Sequence, residues 1–98
     1  MDHTDIDIDK LDSVANRLRS IAHPMRIAII ELLKDETLNV TAIYKKLNIE
    51  QASASHHLNI LKTKGVLASR RAGKNTYYSL KHVALSKIIE CIEKCDDF

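Results

Sequence analysis

Between positions 51 and 62 the chain sets Gln51, Ala52, Ser53, Ser55, His56, Asn59 and Lys62 among Ala54, His57, Leu58 and Leu61. Hydroxyl, amide and imidazole groups can exchange hydrogen bonds with base edges, and an alanine methyl can meet a thymine methyl. Short side chains suit this work, because a backbone that reads a groove must approach it closely. The apolar residues recur at helical spacing, so the polar set lies on the opposite face. Gln51, at the start, can reach an adenine or a phosphate, and the helix N-terminus itself favours phosphate through its free N–H groups. Lys62, at the far end, lies nearer a DNA backbone than the bases. Arg70, Arg71 and Lys74 follow around Gly73, a set suited to gripping backbone or minor groove without reading sequence.

Charge is concentrated in the same stretch. Residues 45–81 carry Lys45, Lys46, Lys62, Lys64, Arg70, Arg71, Lys74 and Lys81 against Glu50 alone, whereas both flanks are net acidic. A basic middle between acidic ends is the footprint of a polyanion-binding face, with a merely solvated lysine surface as the alternative. Single residues carry similar choices. His57 follows the apolar stripe and reads as a packed histidine, while His56 points outward to a groove. Two adjacent helical histidines diverge by about 100° and make no metal pair. Of Tyr77 and Tyr78, alternating on a strand, one belongs to the core and the other faces outward.

The elements that position these residues follow from periodicity and punctuation. Leu11, Val14, Ala15, Leu18, Ile21 and Ala22 predict an amphipathic first helix, capped at Asp9 with Asp12 placed for a return contact, after a flexible lead of residues 1–8. His23-Pro24 breaks the chain and starts a second helix to about Lys34, apolar nearly all round and therefore central. After a loop at Asp35-Glu36-Thr37, Asn39 caps a third helix with Val40, Ile43, Tyr44 and Leu47 inward. A turn at Asn48-Ile49 leads to the fourth helix, which ends at Gly65. Strands 66–71 and 75–80 form a hairpin around Ala72-Gly73-Lys74. A last helix from about His82 to Cys95 carries Leu85, Ile88, Ile89 and Ile92, widened by Ala84, Cys91 and Cys95.

At 98 residues the chain has room for one domain and no separate catalytic lobe. It shows no Gly-rich phosphate loop, nucleophile motif or paired carboxylates, which argues against an enzyme, and no cofactor is expected. No apolar run reaches membrane-spanning length, and the acidic start is unlike a secretory signal. Two cysteines without a disulfide framework suit a reducing cytoplasm. Cys91 and Cys95, four apart on one helical face, are small apolar packing or a thiol-based sensor; their acidic neighbours disfavour a reactive thiolate.

Residues 21–80, with IAHPMRIAIIELL, QASASHHLNILKTKGVL and SRRAGKNTYYSL, resemble the ArsR/SmtB family of bacterial winged-helix repressors. The resemblance implies a mainly α winged helix-turn-helix with a small β-hairpin wing, four helices preceding the hairpin and one following it. It also implies a homodimer through the first and last helices that binds double-stranded DNA at an imperfect inverted repeat and leaves it on induction. The apolar stripes of the two terminal helices, wider than one small core needs, fit such a seam. The family's soft-metal positions on the third helix fall on Asn39 and Thr41, which supply no thiolate. Its last-helix metal positions fall on His82, Ala84, Cys95 and Phe98, too few ligands for a tetrahedral zinc shell. The second-helix cysteine of thiol-sensing relatives falls near Glu31. No metal site is therefore expected. The rival to a DNA-binding repressor is a winged-helix module docking an acidic protein partner.

Overall fold

The computed structural model describes residues 5–95. Helix α1 (Ile8–Ile21) starts at Asp7, whose carboxylate accepts from the N–H groups of Asp9 and Lys10 at 3.1 and 3.3 Å. The cap expected at Asp9 therefore falls two residues too late. Repeated Asp-Ile pairs offer equivalent candidates, and the chain uses the earlier one, making Ile8 the first helical residue. Of the lead expected at 1–8, residues 1–4 lie outside the described residues.

Helix α2 (Pro24–Leu33) follows at once. His23 is extended, and its Nδ1 accepts from the Met25 N–H at 3.1 Å, while Pro24 occupies a position where no N–H is needed. Ile29, Ile30 and Leu33 are buried, and α2 touches α1, α3 (Val40–Leu47), α4 (Gln51–Thr63), α5 (Ala84–Glu93) and the sheet. It is the central helix. Around it, Ile43 of α3, Leu58 and Leu61 of α4, and Val66 are closed off from solvent.

The sheet holds one strand more than the hairpin. Strand β1 (Leu38–Asn39) pairs antiparallel with β3 (Asn75–Leu80), which pairs with β2 (Leu67–Ala72), in the order β1-β3-β2. Leu38 lies opposite Tyr78 and Asn39 opposite Tyr77. Pairing of Ala72 with Asn75 leaves a two-residue turn, Gly73-Lys74, where a three-residue loop was expected. Gly73, with φ of +65°, takes the first turn position, as two-residue hairpins require. Strand β2 starts at Leu67 and not at Val66. Helix α5 is shorter than expected, leaving His82 before it and Cys95 beyond its end.

The packing leaves much apolar surface uncovered. The radius of gyration is 15.4 Å, against about 13 Å for a compact domain of this length. Helix α1 carries part of this surface: Ile8, Leu11, Val14 and Leu18, at helical spacing, are all exposed. Among the described residues no helix is long and apolar enough to cross a membrane.

Candidate nucleic-acid interface

Helix α3 ends at Asn48, whose left-handed backbone (φ 55°, ψ 48°) turns the chain sharply. Asparagine tolerates this region better than most residues. The Asn48 and Ile49 N–H groups bond back to the Lys45 and Tyr44 carbonyls, so only residues 48–50 separate the two helices. At the other end of α3, the Asn39 side chain accepts from the Ala42 N–H at 2.8 Å. The residue at this metal-site position of the family thus serves here as a helix cap.

Helix α4 is divided as its sequence predicts. Ala54, His57, Leu58 and Leu61 are buried, while Gln51, Ala52, Ser53, Ser55, His56, Asn59 and Lys62 are exposed. Its first residue follows Glu50, which makes no side-chain cap, and the first turn holds no acidic residue. The leading N–H groups therefore keep their capacity to bind an anion.

Beneath this row lies a polar contact that the spacing did not reveal. Arg26 of α2 donates from Nε to Nδ1 of His57 at 3.1 Å and from a terminal nitrogen to the Ser20 carbonyl at 3.2 Å. The His23 ring stands 4.7 Å from that of His57, and the His56 ring 5.8 Å. Because arginine can only donate, His57 must accept through Nδ1 and is neutral. Burial, followed by positive charge at His23, Arg26 and His56, holds its pKa below the ordinary histidine value. His57 is a packed residue that ties α4 to the central helix α2.

The wing places its basic residues separately. Arg70, Arg71 and Lys74 are exposed, but consecutive strand residues face opposite sides. The Arg70 guanidinium carbon lies 5.8 Å from the centre of the Tyr77 ring, and Arg71 donates from Nε to the Gly73 carbonyl at 3.3 Å. One arginine is braced along the sheet and the other against the tip. Tyr78 packs on the core, while Tyr77 is half-buried beside Arg70. Lys45 and Lys46, exposed in the last turn of α3, add two cations that sequence reading counted but did not place in the interface.

The candidate sensor cysteines lie in the last turn of α5 and just beyond its end. Cys91 and Cys95 are both exposed in the single chain, with the Cys95 thiol 3.4 Å from the Cys91 carbonyl. Among the described residues no group of three His, Cys, Asp or Glu side chains is arranged to hold a metal ion. Phe98, named for the last-helix metal position, lies outside the described residues.

Comparison with known proteins agrees with this geometry. Residues 21–70 match a helix-turn-helix domain family. The chain is 38% identical over 93 residues to the transcriptional repressor PagR of Bacillus anthracis, covering 94% of this chain and 92% of the relative. The crystal structure of PagR superposes with a TM-score of 0.76 at 37% identity, over 88% of this chain and 99% of that one. The HTH-type repressor SmtB of Mycobacterium tuberculosis is 35% identical over 79 residues, 81% of this chain and 58% of its own. The homodimeric winged helix-turn-helix DNA-binding domain of Mb0332 from Mycobacterium bovis, described as a possible ArsR-family regulator, gives a TM-score of 0.82 at 26% identity. That match covers 93% of this chain and 87% of the other.

Proposed function

The chain belongs to the ArsR/SmtB family of winged helix-turn-helix repressors, and from that premise we propose that it is a homodimeric, sequence-specific repressor of an inverted-repeat operator. The observation that carries this reading is the outer face of α4. Its short polar side chains stand exposed, opposite a packed inner face. Exposed cations follow on the neighbouring elements, Lys45 and Lys46 on α3 and Arg70, Arg71 and Lys74 on the wing. Gln51, Ala52, Ser53, Ser55, His56 and Asn59 meet base edges, and Lys62 takes a phosphate. Arg70, Arg71 and Lys74 hold backbone or minor groove. No step in this reading calls for catalysis.

The dimer seam is assigned to α1 and α5. A groove of about 480 Å³ runs between them, lined by Leu18, Ile27, Ile88 and Ile92, and continues the bare stripe of α1. Exposed apolar surface of this extent marks an association site. Two-fold pairing there would set two copies of α4 side by side, each facing one half-site.

Fluorescence anisotropy on operator DNA recovered by selection, against a scrambled duplex, tests the reading. Operator binding about three orders of magnitude or more tighter than the scramble, with two chains per duplex, is expected. Equal affinity for both duplexes refutes sequence reading. Binding of neither, with retention of an acidic protein partner, favours the docking-module alternative.

A further inference from the structure

A second cavity adjoins that groove, sharing Ile21, Leu85 and Ile88 with it, where α1, the end of α4, the wing and the last helix meet. It has a volume of about 270 Å³. Ile21, Val66, Leu85 and Ile88 make its apolar floor, and Arg17, Lys81 and His82 stand at its rim; among the described residues no acidic side chain lines it. Its volume falls just below the range of about 300–1,000 Å³ usual for drug-sized ligands. An apolar floor under two obligate cations and an imidazole selects an anion attached to a greasy body. Phosphate, compact and hydrated, would waste the floor, and a nucleotide would not fit.

We propose that this cavity binds a small organic monocarboxylate with an aliphatic or aromatic body. Arg17 is the pivotal residue. Its Nε donates to the Lys64 carbonyl at 3.2 Å, joining α1 to the end of α4, and among the described residues its terminal nitrogens make no hydrogen bond, which leaves them to a carboxylate. The neighbouring Gly65 has φ of +78°, and a β-carbon there would lie 3.8 Å from the Arg17 Nε, at ordinary van der Waals contact. Lys81 is anchored through its own N–H to the Val66 carbonyl at 3.1 Å, and His82 opens the turn that leads into α5. A carboxylate drawn between Arg17 and Lys81 engages the terminal nitrogens of the same guanidinium whose Nε holds the Lys64 carbonyl. It thereby alters the fastening between α1 and the reading helix. This last consequence rests on the DNA-binding reading above; occupancy of the cavity does not.

The test uses the whole chain without DNA, followed by amide chemical-shift mapping and calorimetry with octanoate, phenylacetate, the neutral octanamide and inorganic phosphate. Saturable binding of a carboxylate is expected, with shifts centred on Arg17, Gly65, Lys81 and His82. Octanamide and the Lys81→Met variant should each lose about tenfold or more in affinity. Arg17→Lys keeps the charge but not the fork, and is expected to weaken binding while the fold, read from the amide spectrum, persists. No saturable carboxylate binding below about 10 mM would overturn the proposal. So would equal affinity for octanamide, or shifts confined to the Leu18–Ile92 groove. A loss of DNA affinity in Lys81→Met without any carboxylate binding would assign the rim to the DNA backbone instead. Failure of the parent protein to bind any operator would strike the repressor reading and leave the binding result standing.

Discussion

Arg26 and His57 are joined by a single charge-assisted hydrogen bond, 3.1 Å long, between the central helix and the buried face of the reading helix. The bond requires a neutral imidazole that accepts through Nδ1. Protonating His57 removes the acceptor and brings a second cation against Arg26.

Stability is therefore expected to fall with acidification. The pKa of His57 is lowered on folding, so the unfolded chain binds the proton more readily than the native one. The contribution is complete above the ordinary histidine pKa and is lost as pH falls through that value toward the lower native one. Urea midpoints at pH 8 and pH 5.5, in the parent and in His57→Gln, provide the check. A midpoint in the parent that does not drop on acidification, or drops equally in the variant, contradicts the assignment. Arg26→Ala, which leaves the buried Nδ1 without its donor, should cost about 1–3 kcal/mol at neutral pH.

On the opposite face of α4, Ser55→Ala and His56→Ala should each cost about 1–3 kcal/mol on operator DNA and little on a scrambled duplex. Both side chains are exposed, so the fold should not change. Parallel losses on the two duplexes would reassign these residues to phosphate contacts.

Removing wing cations should act differently. Arg70→Ala with Lys74→Ala is expected to weaken binding to every sequence and reduce the salt dependence by about one unit of slope for each phosphate no longer neutralised. Affinity measured from low to high salt decides this. A steady slope with altered base preference would mean that the wing reads sequence.

The dimer seam can be broken from within. Ile88 and Ile92 of α5 are about half exposed in the single chain, at 51% and 52%. A buried, unpaired carboxylate at Ile88 should cost the association about 3–5 kcal/mol. Sedimentation of Ile88→Glu should therefore report monomers at concentrations where the parent is dimeric, with an unchanged helical spectrum. A variant that still dimerises places the seam elsewhere.

Zinc is expected to leave operator affinity unchanged, since Asn39 is engaged as a helix cap, Thr41 has no thiolate, and His82 lies outside α5. Any release by arsenite or a thiol oxidant should vanish in Cys91→Ser/Cys95→Ser. Zinc-driven release that survives the double variant would reveal a site these residues do not form.

The reading helix was legible in the sequence because its two faces differ in kind, and periodicity alone separates Ala54, His57, Leu58 and Leu61 from their polar neighbours. Asn39 and Gly73 were legible for a related reason: each has a conformation or cap that few residues serve. Strand β1 was not. Two residues are too short for any alternation, and Leu38 becomes a strand only because Tyr78 arrives opposite it from far along the chain. The Arg26–His57 bond was hidden likewise, since a lone arginine on an apolar helix carries no sign of its partner on another. Asp7 could not be told from Asp9 as the cap, because an Asp-Ile repeat gives the first turn several equal starts.

The pairing of β1 with β3 has a consequence for how the molecule is made. Helices α3 and α4 lie wholly between the two paired strands, inside a loop that closes only when Tyr77 and Tyr78 meet Asn39 and Leu38. On a ribosome, α3 and α4 can form locally, but their enclosure waits until the wing has emerged. A chain truncated before β3 should therefore exchange the amide protons of α3 and α4 freely. The finished protein should protect them until the sheet itself opens.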